Sequence, residues 1–249
     1  MYSQARRDDA LGLLAEGLTL SQASRRTGVS RAAMREWVAH PERSAQRASD
    51  CPVCDEVQLD AEAYSALLGY YLGDGCISRM PRYFLLRVSC DATYPGIITD
   101  IDRLIAAIRP VGRIHRVRAP GAIVVSSAWQ HWPCLFPQHG PGRKHERPIV
   151  LDDWQRAIVE AHPGAFLRGL FHSDGCRARN WTQKVVAGEL KRYDYPRWQF
   201  TNVSADIREL CCWALDLVDV PWQQSNRYVI SVSRREGVAR LDELIGLKT

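Results

Sequence analysis

Two stretches of this 249-residue chain repeat one pattern: residues 67–75 read LLGYYLGDG and residues 166–175 read FLRGLFHSDG. Each is an apolar run of helical character with a Gly inside it, and each ends in Asp followed by Gly. A Gly inside a helix costs about 1 kcal/mol relative to Ala, so its presence at the same place in both copies calls for a physical reason. Close packing of two helices through their Gly faces supplies that reason.

Such packing would bring Asp74 and Asp174 together at the C-terminal ends of the two helices. Like charges at short range oppose ionisation, and the C-terminal end of a helix is the negative end of its dipole. A divalent cation would resolve both conflicts, so the pattern predicts a metal site. The alternative is that the two carboxylates serve only in packing or capping.

The composition excludes membrane-spanning proteins. No window reaches the roughly 18 uncharged apolar residues of a membrane span, and residues 1–20 lack the apolar core of a signal peptide. With 46% hydrophobic and 24% charged residues, the chain can bury the core of one or two domains. We therefore expect a cytoplasmic protein, associated with the nucleoid if it binds DNA, with no membrane partner.

Basic residues are concentrated after each Asp-Gly motif. The net charge of +5 is modest, but residues 76–118 hold eight Arg against three acids, and residues 177–200 hold six basic residues against two acids. Side chains of this kind on strands contact phosphates and guanine edges, although a solvated strand face is the alternative for any one of them. The candidate DNA contacts are Arg79, Arg82, Arg87, Arg113, Arg116, Arg118, Arg177, Arg179, Lys184, Arg197 and Arg227.

Eight Cys residues occur in a chain without signs of secretion, so thiols and metal ligands are favoured over disulfides. Only Cys51 and Cys54 have the Cys-x-x-Cys spacing of zinc ligands. A tetrahedral zinc site needs two more ligands, which His131 and Cys134 would supply, as would His139 or His145. A turn with two reduced thiols is the alternative.

The first forty residues predict three short helices. Gly28 suits a tight turn and Ser30 a helix cap, and Val29, Met34, Trp37 and Val38 are the apolar positions. This pattern resembles a helix-turn-helix DNA reader, in which residues 31–39 would form the recognition helix and present Arg31 and Arg35 to base edges. A generic three-helix bundle with a basic face is the alternative. We assign residues 1–41 to this domain and residues 42–58 to a linker that carries the Cys pair.

The rest of the chain shows the same order of elements twice, α-β-β-α-β-β-α. The first half is predicted over residues 59–137, with a closing helix over residues 128–136. A connector over residues 138–153 and a second half over residues 154–249 follow. Periodicity places strands around residues 183–186 and 198–203 of the second half.

The two motifs and the doubled order of elements resemble the LAGLIDADG homing endonuclease family in its single-chain form, over about three-quarters of the chain. The resemblance implies an α+β fold of two pseudo-twofold αββαββα half-domains with saddle-like antiparallel sheets, joined by the motif helices at Gly69 and Gly169. It also implies metal-binding, catalytic Asp74 and Asp174, assisted by the backbone of Gly73 and Ser173. Mg²⁺ would be the ion, with Mn²⁺ or Ca²⁺ as substitutes. Supporting residues on or near the strands would be Asn202, Arg234 and Asp91; the first half offers Asp91 and Ser127 there, with no Lys.

The function that follows is monomeric, sequence-specific cleavage of double-stranded DNA at two sites near the pseudo-dyad. The first alternative is a DNA-binding transcriptional regulator on the same fold that does not cleave. The presence of both acids favours cleavage. A third class comprises RNA maturases and packing proteins, against which the duplex-reading N-terminal motif argues.

Overall fold

The computed structural model describes residues 4–41 and 50–249, with side chains from residue 6 onward. The described chain divides into two compact units, with the boundary between Glu56 and Val57. Residues 42–49 of the predicted linker lie outside the described residues.

Over its described residues, the first unit has three helices, α1 (Gln4–Ala15), α2 (Leu20–Thr27) and α3 (Arg31–Ala39). Thr19 begins α2 with a reciprocal capping box to Gln22, and Gly28 ends it with a φ of 70° in the left-handed region. Ser30 caps α3 by accepting a hydrogen bond from the Ala33 amide at 3.2 Å. Local turn chemistry therefore sets both ends of α2 and the start of α3.

The core of this unit is small. Ala10, Ala23, Val29 and Met34 are buried, and Trp37 packs against them. Val38 is 59% exposed, so it lies on the solvent side of α3 and outside this core.

The second unit repeats one order of elements. The first half comprises α4 (Ala61–Leu72), β1 (Gly75–Arg79), β2 (Phe84–Asp91), α5 (Pro95–Ile108), β3 (Ile114–Ala119), β4 (Ala122–Trp129) and the one-turn α6 (Trp132–Leu135). A short 3-10 helix (Lys144–Glu146) and α7 (Asp153–Ala161) follow. The second half comprises α8 (Pro163–Asp174), β5 (Gly175–Val186), β6 (Glu189–Thr201), α9 (Ala205–Leu217), β7 (Gln223–Asn226), β8 (Val229–Val232) and α10 (Arg235–Ile245).

Each half has a four-stranded antiparallel sheet, in the orders β1-β2-β4-β3 and β5-β6-β8-β7. These orders are equivalent, and the first pairs also correspond, with Gly75 opposite Val88 and Gly175 opposite Phe200. The predicted mixed α+β class and the doubled antiparallel architecture are confirmed.

Three predicted details differ. Residues 128–136 are not one helix, because β4 continues to Trp129 and only one helical turn follows; the buried Trp132 indole donates to the Ser127 carbonyl at 2.9 Å. The helix α7 begins at the end of the predicted connector, where a capping box joins Asp152 and Gln155. The strands β5 and β6 are longer than predicted and form a hairpin that pairs from Gly175–Phe200 to Val186–Glu189.

The helices α4 and α8 pack against each other at their two internal glycines. A Cβ atom on Gly69 would lie 2.3 Å from the carbonyl oxygen of Phe166, and one on Gly169 would lie 2.2 Å from that of Ala66. Each glycine thus faces the carbonyl three residues before the other glycine, which is the reciprocity that a twofold relation produces. Within the described residues, no helix is long and apolar enough to cross a membrane.

Candidate functional site

The C-terminal ends of α4 and α8 lie in contact. A Cβ atom on Gly73 would lie 2.3 Å from the Cβ of Ser173 and 3.4 Å from Oδ2 of Asp174. The side chain that Gly73 lacks therefore leaves the space in which Asp174 approaches the other helix. Asp74 follows Gly73 directly, so the chain brings the two acids of the repeated motif to one place.

Each acid is followed by a glycine that starts a strand. A Cβ atom on Gly75 would lie 2.4 Å from the Cα of Tyr71, and one on Gly175 would lie 2.5 Å from the carbonyl oxygen of Phe171. Each first strand thus turns back closely against its own motif helix. This geometry holds each acid between a helix end and a sheet.

The two carboxyl groups raise each other's cost of ionisation. Burial and then the nearby Asp174 raise the pKa of Asp74 to about 6, against the opposing effect of Lys144 and Lys248. Burial also raises the pKa of Asp174, while Asn202 and the same two lysines lower it. Asp74 is exposed on one side, Asp174 is half-buried, and Asp74 borders a cavity of about 150 Å³. The site is therefore a depression in which two carboxyl groups lie near two lysine ammonium groups.

The predicted supporting residues fall in different environments. Asn202 donates from Nδ2 to Oδ2 of Asp174 at 2.7 Å, and its own Oδ1 accepts from the Ser204 amide. Asp91 borders the same cavity as Asp74, but its Oδ1 accepts from Thr93 at 2.8 Å. Arg234 stands at the start of α10, and no hydrogen bond or ion pair joins it to Asp174 among the described side chains. Of the three, only Asn202 touches an acid of the motif.

Two lysines that the sequence interpretation did not assign lie at the site. Lys144 donates from Nζ to the carbonyl oxygens of Tyr71, Leu72 and Gly73. Lys248 donates from Nζ to the carbonyl oxygen of Ser173 at 3.3 Å. Neither lies on a strand, where a basic partner was expected. Their positions along the chain were a signal that could have been used, because each lysine follows the last strand and helix of its own half.

A buried polar network joins the two halves beside the acids. The Tyr70 hydroxyl donates to Oδ2 of Asp100 at 3.1 Å and lies 3.1 Å from Nδ1 of His172. Arg168 of α8 forms an ion pair with Asp100 of α5 at 2.9 Å. Burial lowers the pKa of His172 to about 4. His172 is therefore neutral near pH 7 and part of the interface between the halves.

The basic strand residues divide between two faces of each sheet. Buried Leu86 and Val88 flank exposed Arg87, which lies on the open face opposite Cys76. Arg116 lies on the other face and pairs with Asp102 of α5, with a hydrogen bond from Nε to Oδ2 of 2.6 Å. The prediction that these residues form one DNA-facing set was too broad, because alternate residues of a strand point to opposite faces.

The second sheet shows the same division. Arg177 pairs opposite the buried Trp198 and bonds Asp242 of α10 twice, at 2.8 and 2.7 Å. Arg197 lies on the opposite face and donates to Ser231 at 3.2 Å. Lys184 shares the parity of the open face, near the hairpin tip. Arg79, Arg118 and Arg179 are exposed, but strand register gives them the parity of the helix-covered face. Arg82, Arg113 and Arg227 are exposed outside the strands. All six stay predicted DNA contacts.

Of the four predicted zinc ligands, Cys51 and Cys54 belong to the first unit, and His131 and Cys134 belong to the second. In the first unit, residues 51–55 form a turn in which the amide of Asp55 donates to the carbonyl oxygen of Cys51 at 2.8 Å. Burial raises the pKa of Cys51, while the backbone amides of Cys54 and Val53, which point at its sulfur, lower it. In the second unit, the sulfur of Cys134 lies 3.6 Å from Nδ1 of His131. A zinc ion held by all four residues stays a prediction.

The alternative zinc ligands have other neighbours. The ring of His139 lies edge-on to Phe84 with centroids 5.6 Å apart. His145 lies 3.9 Å from a carboxylate oxygen of Glu146.

Comparisons with known proteins returned fold similarities alone. No protein-family model matches the chain, and no curated protein matches it. Among solved structures, the N-terminal LAGLIDADG domain of DUF199/WhiA aligns with 75% of this chain and 83% of its own length, at 13% identity and a TM-score of 0.47.

Two DNA-bound nucleases are similar to the same extent. The homing endonuclease I-DmoI in complex with DNA and Mn aligns over 76% of this chain and 99% of its own, at 13% identity and a TM-score of 0.48. The LAGLIDADG meganuclease I-AabMI bound to uncleaved DNA aligns over 73% and 82%, at 14% identity and a TM-score of 0.45. At these values the function must be inferred from the geometry of the site.

Proposed function

We propose that this protein is a sequence-specific endonuclease that binds double-stranded DNA across the open faces of its two sheets and hydrolyses it at Asp74 and Asp174. The observation that carries the proposal is the contact between two equivalent helix ends, each with one acid and each leading into its own sheet. A duplex has two antiparallel strands related by local twofold axes. A repeated pair of acids suits one cut in each strand.

The carboxylates suit a divalent cation. Oxygen ligands are those that Mg²⁺ prefers, and the carboxylate of Asp74 accepts no hydrogen bond from the described residues. The carbonyl oxygens of Gly73 and Ser173, which were expected as further ligands, accept hydrogen bonds from lysines instead. The acids thus fit the ion, while each carbonyl oxygen already uses one of its two acceptor positions for a lysine.

Phosphodiester hydrolysis needs an activated water and stabilisation of negative charge, which a bound Mg²⁺ ion supplies. The chain supplies the positions. Asn202 orients the carboxylate of Asp174, the neutral His172 and Tyr70 hold the two helices together, and basic residues of the open faces hold the DNA backbone.

The test requires a target, which selection from a randomised duplex library by binding to the protein would provide. We expect a supercoiled plasmid that carries the target to be linearised in Mg²⁺. The double variant Asp74→Asn, Asp174→Asn should bind the target without cutting it. The control is Asp153→Asn with Asp219→Asn, which changes the charge equally at two exposed acids and should leave cutting intact.

A regulator that binds DNA without cutting is the second candidate. The lysine hydrogen bonds to Gly73 and Ser173 favour it, because they place positive charge beside the acids where a nuclease would bind the ion. Tight, specific binding with no nicking in Mg²⁺ or Mn²⁺ would select this function over cleavage.

The first unit adds two further parts to the proposal. The exposed Arg31 and Arg35 of α3 would extend DNA contact beyond the sheets, so their replacement by Ala should weaken binding to long targets more than to short ones.

Cys51, Cys54, His131 and Cys134 would bind one zinc ion. Metal analysis should find zinc in the wild type and less in Cys51→Ser, with Cys76→Ser as the control; only a trace of zinc in the wild type would end this part. We also propose that one chain acts as a monomer, since it carries both acids.

A further inference from the structure

Lys144 is held at the end of α4 by three hydrogen bonds. Its Nζ donates to the carbonyl oxygens of Tyr71 at 2.5 Å, Leu72 at 2.9 Å and Gly73 at 2.6 Å. An ammonium group has three N–H donors, so all three are used. The last carbonyl oxygens of a helix have no partner within the helix and carry its negative dipole charge, so a cation here stabilises the end of α4.

Lys248 takes the corresponding place at the end of α8. Its Nζ donates to the carbonyl oxygen of Ser173 at 3.3 Å and lies 5.9 Å from the ring centre of Tyr94. Lys248 also borders the cavity that Asp74 and Ser173 line. Each lysine comes from the segment that follows the sheet of its own half, and each binds the motif helix of that half.

Both ammonium groups act on both acids. Burial lowers the pKa of Lys144 to about 8, and the attraction of Asp174 and Asp74 opposes that effect. The pKa of Lys248 is likewise lowered by burial, against the attraction of Asp74, Cys176 and Asp174. The two lysine ammonium groups therefore lie near the two carboxylates and attract them. A half-buried lysine that is held by carbonyl oxygens and attracted by nearby carboxylates depends on those groups, and removing them is costly.

We propose that Lys144 and Lys248 are built-in counter-cations of the acid pair: they occupy the carbonyl oxygens of Gly73 and Ser173, and a divalent ion that binds Asp74 and Asp174 must compete with them. The competition rests on the proposed metal-dependent function, whereas the pairing of lysines with acids does not. Lys144 and Lys248 are thus positioning residues, which act through the acids and the helix ends.

Two consequences follow for the protein. The lysines compensate the acids, so the chain folds without a divalent ion even though two carboxylates meet at the negative ends of two helices. They also weaken ion binding, because an incoming ion is repelled by the nearby positive charge and competes for carbonyl oxygens that already accept hydrogen bonds. Metal binding would then be strengthened by anything that draws the ammonium groups away, such as the phosphates of bound DNA.

The experiment compares Lys144→Met, Lys248→Met and the double variant with wild type, and uses Lys191→Met as the matched control. Lys191 lies exposed near the tip of the β5-β6 hairpin, so its replacement makes the same change of charge away from the acids. Mn²⁺ affinity is measured on the full-length protein without DNA, by electron paramagnetic resonance. We expect each single variant at residue 144 or 248 to bind Mn²⁺ on the order of tenfold more tightly than wild type, and Lys191→Met to bind as wild type does.

A second measurement is made in EDTA, where no metal takes part. Urea unfolding is followed for Lys144→Met and Lys248→Met in the wild-type background and in the Asp74→Asn, Asp174→Asn background. We expect each lysine variant to lose more stability when the acids are intact, since only then is a negative group left without its partner. Lys144→Arg keeps the charge and should retain most of the stability. Lys248→Met removes only one hydrogen bond, so it provides the test if Lys144→Met does not fold.

The outcomes separate this proposal from the nuclease proposal. Wild-type Mn²⁺ affinity in both lysine variants, or equal losses of stability in the two backgrounds, would overturn the counter-cation role. Unequal losses in EDTA together with no Mn²⁺ binding by any variant would support that role and refute the metal-dependent nuclease. Tighter Mn²⁺ binding by the lysine variants, with no DNA cleavage, would support the counter-cations in a regulator.

Discussion

Gly69 and Gly169 meet backbone to backbone at the crossing of α4 and α8: a Cβ atom on Gly69 would lie 2.9 Å from the Cα of Gly169, and one on Gly169 would lie 2.8 Å from the Cα of Gly69. No side chain fits between the backbones of the two helices at that separation. The contact sets how closely the helices approach. It therefore also sets where Asp74 and Asp174 stand.

Replacement of Gly69 by Ala should destabilise the second unit by about 3 kcal/mol, the upper part of the range for overpacking, because the atoms that the new Cβ meets are backbone atoms. Urea unfolding would measure this loss. Gly140→Ala is the control in the same unit, since its Cβ would lie 3.4 Å from the nearest atom, an ordinary contact. Equal stability of the two variants would contradict the tight crossing.

Tyr70 and Tyr71 are adjacent buried tyrosines that should respond differently to replacement by Phe. Tyr70→Phe removes the hydroxyl that donates to Asp100 and should cost about 1 to 2 kcal/mol. The Tyr71 hydroxyl lies near Arg147 but has no hydrogen bond of normal geometry within the described part of the chain. Tyr71→Phe should therefore be neutral or stabilising. Thermal unfolding of both variants measures the difference, and a larger loss at Tyr71 would refute the network.

Arg87 and Arg116 test whether the open face is the DNA face. Arg87→Ala should weaken DNA binding and reduce the slope of log affinity against log salt by about 1, as expected for one lost phosphate contact. Arg116→Ala should leave that slope unchanged and reduce stability instead, because Arg116 is paired with Asp102. Binding titrations at several salt concentrations, with unfolding of the free proteins, would show this. Salt-independent binding by wild type would argue against a phosphate-dominated interface.

Asp242 links α10 to the second sheet, and its contribution should depend on pH. Burial alone would raise its pKa, but hydrogen bonds from Arg177 and Trp198 outweigh burial and lower the pKa below its ordinary value. The folded state then binds fewer protons than the unfolded state in that interval. The stabilisation is complete above the ordinary carboxyl pKa of about 3.9 and is lost as the pH falls through the lower folded value.

Asp242→Asn should therefore cost about 1 kcal/mol near neutral pH, since the pair is partly exposed, and the gap from wild type should narrow in acid. Urea unfolding from about pH 6 down into acid below about pH 3.9 tests this, because the stabilisation declines only as the pH falls below the ordinary carboxyl pKa. Asp153→Asn is the control, an exposed acid in the first turn of α7. A gap that widens toward acid would show the sign to be wrong.

Much of the architecture could be predicted because it depends on local patterns. The helices of the first unit begin and end at residues with capping chemistry, such as Thr19, Gly28 and Ser30. The two Gly-containing runs predicted a close helix crossing, because a mid-helix glycine destabilises the helix and close packing offsets that loss of stability. The same runs predicted that Asp74 and Asp174 would meet, and the structure brings the helix ends that carry them together.

Composition did not show which basic residues form ion pairs and which lie on the open faces of the sheets. Arg177 and Arg197 belong to the same sheet, yet Arg177 is paired with Asp242 while Arg197 lies on the open face. Strand register decides which face each residue takes, and the hairpin is longer than the apolar pattern indicated. Partners such as Asp102 and Asp242 come from helices distant in the sequence, so pairing could not be read from neighbouring residues.

The amino-acid sequence alone determined the doubled order of elements and the pair of acids, because hydrophobic periodicity, caps and small residues act over a few residues. The tertiary structure alone decided which lysine side chains lie beside those acids. Lys144 and Lys248 reach the ends of α4 and α8 from segments more than seventy residues away in the chain. The electrostatic field at the acids is set by distance in space, and it falls with that distance regardless of the separation along the chain.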